Sequence, residues 1–176
     1  MMDKLVEIFE KVRDLPYEIG PLYEGEKLIE YGRGGCGPKS RYLADQLNKL
    51  GYEVRVCITP YRWTDLAALP DELKKMPQVD RMGNHVYLKV KIDDDWALID
   101  PSWDKNLSPA LPANIDWNGK FDQIPAIKIT EEKCMNYPEP YLSWRRENQQ
   151  PQEITEEDKQ FASQMNLWFE SVRTTR

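Results

Sequence analysis

Gly32-Arg33-Gly34-Gly35-Cys36-Gly37-Pro38-Lys39-Ser40-Arg41-Tyr42-Leu43 is the stretch on which the reading of this chain turns. Its first half is rich in glycine; its second half opens a helical pattern. Leu43, Leu47 and Leu50 recur at helical spacing, Pro38 suits a first turn, and Gly51 suits a C-terminal cap. The spacing predicts a helix over about 36–50 with Cys36 at its N-terminus. At that position the unpaired backbone N–H groups and the helix dipole favour a thiolate, and a neighbouring imidazole favours it further. A cysteine can equally serve as a small buried apolar residue. Gly34, Gly35 and Gly37 weigh against that use, because they let a second backbone or a substrate come close.

Upstream, Leu5, Ile8, Phe9, Val12 and Leu15 share helical spacing over 3–14, and Pro16 ends the run. A short helix is expected after Pro21, carrying Leu22, Leu28 and Ile29. Downstream, 54–58 reads as a strand, followed by a long segment over 59–84 with three prolines and a short helix near 71–76. That length without periodicity predicts a mobile cover rather than core. Residues 85–92 alternate and are rich in β-formers, and an acidic turn at 93–95 leads into 96–100, so the two should pair as a hairpin. A proline-rich loop carrying tryptophan covers 101–123, 126–129 is expected as an edge strand, and 136–152 reads as polar and irregular. Thr155 caps a last helix with Phe161, Met165, Trp168 and Val172 along one face. Helices, a central helix and then an antiparallel sheet make the class α+β. One domain is expected, with its core over 32–103, helices over 1–31 and a loop and helix over 104–176.

The 176 residues, 40% apolar and 31% charged, have an ordinary globular composition. No apolar run approaches the roughly 20 residues that span a bilayer, and the N-terminus lacks a secretory pattern. Three scattered cysteines suggest no disulfide framework, which points to a reducing cytoplasm. A net charge of −6, with no basic cluster beyond Arg145-Arg146, argues against nucleic acid as a partner.

His85 is the only histidine. Asp100 ends the strand that pairs with the strand His85 begins, so both lie at one end of the hairpin. There a carboxylate can accept the second imidazole N–H, fixing the tautomer and stabilising the imidazolium. A turn centred on Asp94 would set Asp100 nearer Leu88 than His85, an offset that a bulge or twist must absorb. Asp100 can also be read as a turn-capping aspartate.

Taken together, these blocks resemble the transglutaminase-like superfamily of papain-type enzymes. Gly35-Cys36, Leu43, Leu47, Leu50-Gly51 and Arg55 match its first block in order, and His85, Tyr87, Trp96 and Asp100-Pro101-Ser102 match its second. The resemblance covers about 32–103. It implies a central helix carrying the cysteine, packed on an antiparallel sheet carrying the histidine and aspartate. It also implies a nucleophile at Cys36, a general base and acid at His85, and an orienting carboxylate at Asp100. The expected chemistry is acyl transfer from a protein, peptide or amide substrate through a thioester, with water as acceptor. Transfer to an amine is the alternative. Part of the oxyanion hole would be the Cys36 N–H; Glu30 stands where a glutamine donor would be expected, leaving Tyr31 and Arg33 as candidates. Arg33-Gly34-Gly35-Cys36 also resembles the arylamine acetyltransferases, which carry one more residue before the cysteine, and a non-catalytic binding module on the same fold is a further reading.

Trp63, Tyr87 and Trp103 flank these segments and are the candidates for lining a substrate groove, with Trp117 in a neighbouring loop. Cys57 reads as core, and Cys134 has no metal-spaced partner. One histidine and no paired cysteines make a zinc site improbable on spacing alone, and Asp93-Asp94-Asp95 lacks the glycine and glutamate of a calcium loop. No cofactor is expected.

Overall fold

The computed structural model describes residues 2–20, 27–148 and 154–174. The expected Leu22 end of a helix after Pro21 lies outside them. Six helices are described: α1 (Met2–Arg13), α2 (Leu28–Tyr31), α3 (Cys36–Lys49), α4 (Asp71–Lys74), α5 (Tyr141–Asn148) and α6 (Glu156–Thr174). Four strands, β1 (Val54–Tyr61), β2 (Gly83–Ile92), β3 (Asp95–Ile99) and β4 (Lys133–Asn136), form one antiparallel sheet in the order β3-β2-β1-β4. The class is α+β.

Period decides the central layer. Leu43, Ala44 and Leu47 put one face of α3 fully out of solvent, against Val54 and Val56 of β1 and Val86, Leu88 and Val90 of β2. Leu5, Phe9 and Val12 of α1 close the other side of the same cluster. Ser40 ties the layers together, its hydroxyl donating to Val86 O at 2.9 Å. A second cluster gathers Tyr17, Trp63, Leu69, Leu73, Val79, Trp103 and the α6 face Phe161, Met165, Phe169 and Val172. Cys36 packs against both clusters and so lies at their seam.

Several expectations need correction. The sheet's fourth strand is β4 at Lys133–Asn136, paired with β1, not 126–129. The segment 136–152 holds α5, whose Tyr141 is fully buried. Within 59–84, Trp63, Leu69, Leu73 and Val79 are buried, so the segment is anchored rather than a loose cover. On α6 the core position belongs to Phe169 rather than Trp168. Cys57 and Cys134 are directly paired across β1 and β4 and form a disulfide. With that bond, the inference of a reducing compartment from unpaired cysteines loses its basis. No described helix is long and apolar enough to cross a membrane.

Candidate active site

Cys36 is the first residue of α3, and Gly35 caps the helix without a side-chain hydrogen bond. The first-turn N–H groups therefore face outward unpaired, as at any helix start. Antiparallel pairing of β2 with β1 places His85 beside Thr59, and the Ser40–Val86 bond holds the strand against α3. The His85 ring and the Val86 N–H both act on the Cys36 thiol and favour its charged form.

The β2–β3 register resolves the offset expected from sequence. Ile92 pairs with Asp95, so the turn is Asp93-Asp94, with Asp93 at φ 55°, and Ile99 pairs with Leu88. The next rung would set Asp100 across from Tyr87, on the face that His85 shares. Diagonal neighbours on one face are within reach of each other, so no bulge is needed. Asp100 Oδ2 lies 2.8 Å from His85 Nε2 and accepts the Ala126 N–H at 2.7 Å. Asp100 Oδ1 accepts the Ser102 N–H at 3.1 Å and its hydroxyl at 2.5 Å. Gln123 Oε1 accepts the Asp100 N–H at 2.7 Å. With Nε2 committed to Asp100, Nδ1 is the ring nitrogen left for the thiol.

Electrostatics follow from this geometry. Burial disfavours the His85 imidazolium, but the Asp100 charge and hydrogen bond outweigh it and raise the pKa to about 10. Burial pushes the Cys36 thiol up, and the neighbouring His85 ring with its charge and the Val86 N–H bring it below the usual value. Asp100 is likewise pushed up by burial and brought down further by His85, Ser102 and Ala126, so its carboxyl lies below the ordinary range. Both shifts run toward a charged pair, thiolate beside imidazolium, with a buried carboxylate behind the ring.

Behind the cluster, fully buried Lys39 donates to Arg13 O at 2.9 Å, Leu15 O at 2.8 Å and Ser102 O at 2.9 Å. Three carbonyls match the three N–H groups of an ammonium. Burial pulls its pKa down to about 7, against the nearby Asp104 and Asp100 charges. Lys39 thus pins the end of α1 and the loop after Asp100 to α3.

A cleft of about 510 Å³ opens on Cys36, with Tyr17, Arg41, Tyr61, Trp63 and Val86 among its walls. Tyr31 and Arg33 also line it. Trp63 is the one tryptophan of the expected three flanking aromatics to reach it. Tyr87 is fully buried with its hydroxyl donating to Glu132, and Trp103 is buried with Nε1–H donating to Ala126 O at 3.2 Å; neither lines the cleft. Trp117 packs on Phe9 instead. Arg55 lies over the Trp96 ring at 4.0 Å, away from the cluster. Sequence reasoning missed Tyr17, Tyr61 and Lys39, whose places depend on contacts distant in the chain. Among the described residues one group, Cys57, Glu132 and Cys134, brings metal-type ligand atoms together, and its two sulfurs are bonded to each other. No family model, curated protein or solved structure matches this chain.

Proposed function

We propose that this protein is a cysteine-dependent acyl-transfer enzyme of the transglutaminase-like, papain-type kind, acting on an amide or peptide and passing the acyl group to water. The observation that carries this reading is one cluster: a thiol at a helix start, under the influence of an imidazole whose Nε2 lies 2.8 Å from a buried carboxylate. In this reading the Cys36 thiolate attacks the carbonyl carbon and forms a C–S bond. The tetrahedral intermediate expels the amine, which takes its proton from His85, and a thioester remains. Neutral His85 then removes a proton from water, hydroxide adds to the thioester, and the thiolate leaves as the carboxylic acid is released. Asp100 keeps the ring oriented and offsets its charge throughout. Water is the favoured acceptor because the cleft is open to solvent and an amine wins only where water is excluded.

The test is trapping with an electrophilic peptide library, read by mass spectrometry. It is paired with ammonia release from a glutamine-containing peptide, with and without dansylcadaverine. Adducts should map to Cys36, and ammonia should appear at the same rate either way with negligible label. Efficient labelling would replace hydrolysis by amine transfer. Turnover that survives Cys36→Ala would end the reading altogether.

A further inference from the structure

Attack on a carbonyl turns its oxygen into an oxyanion, and sites of this chemistry aim more than one donor at it. The Cys36 N–H supplies one. We propose that the Tyr17 hydroxyl is the second oxyanion donor, an assignment that rests on the acyl-transfer reading above.

The backbone delivers Tyr17 to the nucleophile. Gly34 N–H donates to Pro16 O at 3.1 Å and Glu18 N–H donates to Gly34 O at 3.4 Å, so residues 16–18 run beside the glycine stretch that leads into α3. A Cβ placed on Gly35 would stand 3.9 Å from Tyr17 Oη, and Tyr17 and Cys36 line the same cleft. The phenol therefore ends next to the residue that immediately precedes the nucleophile, at the start of α3. Tyr17 is only 6% exposed, and its hydroxyl makes no hydrogen bond among the described residues. Tyr17 Oη is not one of the polar atoms sealed from solvent without a partner, so the hydroxyl is open to the cleft and free to donate to a group bound there.

The rest of the residue is fixed. Its N–H donates to Asp104 Oδ2 at 2.8 Å, and its carbonyl accepts from Arg173 Nη2 at 2.8 Å. Asp104 and Arg173 are themselves paired at 2.7 Å. The ring packs on Trp103 with centroids 4.5 Å apart and on Phe169 at 5.2 Å. A donor held this way needs no reorganisation when charge develops, which is what makes such donors effective. Burial raises the phenol's pKa, so the group stays a donor across the working range.

Tyr31 also lines the cleft but is 51% exposed, so the competing phenol held within the walls is Tyr61. Its ring covers Gly83, where a Cβ would come within 2.8 Å of Cε1, and it meets the His85 ring edge-on at 6.4 Å. Its phenol also feels the Cys36 charge and lines the same cleft, so the two phenols are separated by experiment.

The experiment compares Tyr17→Phe and Tyr61→Phe with the unmodified protein in two reactions at Cys36. One is acylation by p-nitrophenyl acetate, which passes through an oxyanion. The other is alkylation by iodoacetamide, which does not. Tyr17→Phe removes no resting hydrogen bond and should fold normally. It should slow acylation by roughly 10²–10³-fold and leave alkylation within about twofold. Acylation of Tyr17→Phe at the unmodified rate would overturn the assignment. So would alkylation falling in step with acylation, or a larger acylation loss in Tyr61→Phe. An unmodified protein that alkylates at Cys36 but is never acylated there would instead remove the acyl-transfer reading, and the oxyanion role with it.

Discussion

At Cys36 burial and the His85 ring oppose each other, and the outcome can be read in its pH profile. A thiol of ordinary pKa, about 8.5, is less than roughly 1% thiolate at pH 6. Cys36 lies below its usual value because of the neighbouring His85 ring and its charge, against the upward push of burial. Iodoacetamide should therefore alkylate it well below the pH at which an ordinary thiol reacts. Removing the imidazole leaves burial unopposed, so His85→Ala should cut the rate near pH 6 by about tenfold or more. Asp100→Asn should weaken the effect by releasing the imidazolium, and the double variant should cost little more than His85→Ala. Unchanged low-pH alkylation in His85→Ala would dissolve the cluster as a functional unit. The three residues were legible because each announces itself locally: a cysteine at a helix start, a single histidine, and an aspartate before proline at a strand end. Tyr17 and Lys39 were not. Their partners Phe169 and Ser102 lie far along the chain, and nothing in the neighbouring sequence marks them.

At the scale of elements, the helix α3 and the β2–β3 hairpin were readable from period alone, because each carries sustained apolar spacing facing one cluster. The hairpin register was not. One residue of slip would move Asp100 to the opposite face from His85, and only the two-residue Asp93-Asp94 turn decides it. Strand β4 escaped for a different reason. It is four residues long, half of them polar, and held by its pairing with β1 and the Cys57–Cys134 disulfide rather than by a sustained apolar pattern. That bond makes a prediction. It closes a loop across a sequence separation of 77 residues, and releasing it frees the unfolded chain by an amount worth about 4 kcal/mol. Cys134→Ser, or dithiothreitol added to the native protein, should lower the urea midpoint accordingly, and thiol titration without reductant should count one free cysteine. An unshifted midpoint in both cases, or three titrating thiols, would show that β4 is held by strand pairing alone. Iodoacetamide reactivity of Cys36 should persist in Cys134→Ser, because β1–β2 pairing and the Asp100 contact hold His85 without the disulfide.

For the whole molecule, the arrangement that matters is a pair of apolar clusters with Cys36 at their seam. The sheet-and-α3 cluster positions Cys36, His85 and Asp100, while the aromatic cluster under α6 holds two walls of the cleft, Tyr17 and Trp63. Phe169 is the centre of the second cluster. It is fully buried and meets Tyr17 at 5.2 Å, Trp63 at 6.4 Å, Trp103 at 5.8 Å and Trp168 at 5.0 Å. Phe169→Ala should cost about 3–5 kcal/mol, since the surrounding rings cannot collapse into the space it leaves. Its local consequence can be followed with chymotrypsin. In the native protein Phe121 is 68% exposed while Trp63 is 8% exposed, so cleavage after Phe121 should precede cleavage after Tyr61 or Trp63. Susceptibility tracks the free energy of local opening, and the buried anchors Trp63, Leu69, Leu73 and Val79 set that energy for the 59–84 segment. Phe169→Ala removes one of the rings packed on Trp63, so the order should shift, with cleavage at Trp63 accelerating more than cleavage at Phe121. Leu47→Ala serves as the control, because it opens a cavity of comparable cost, about 2–5 kcal/mol, in the other cluster. It should leave the ratio of the two cuts unchanged. If Trp63 is cut first in the unmodified protein, the segment is the mobile cover that its irregular sequence suggests. If Leu47→Ala and Phe169→Ala change the ratio equally, the two clusters open as one unit, and the seam at Cys36 is no boundary.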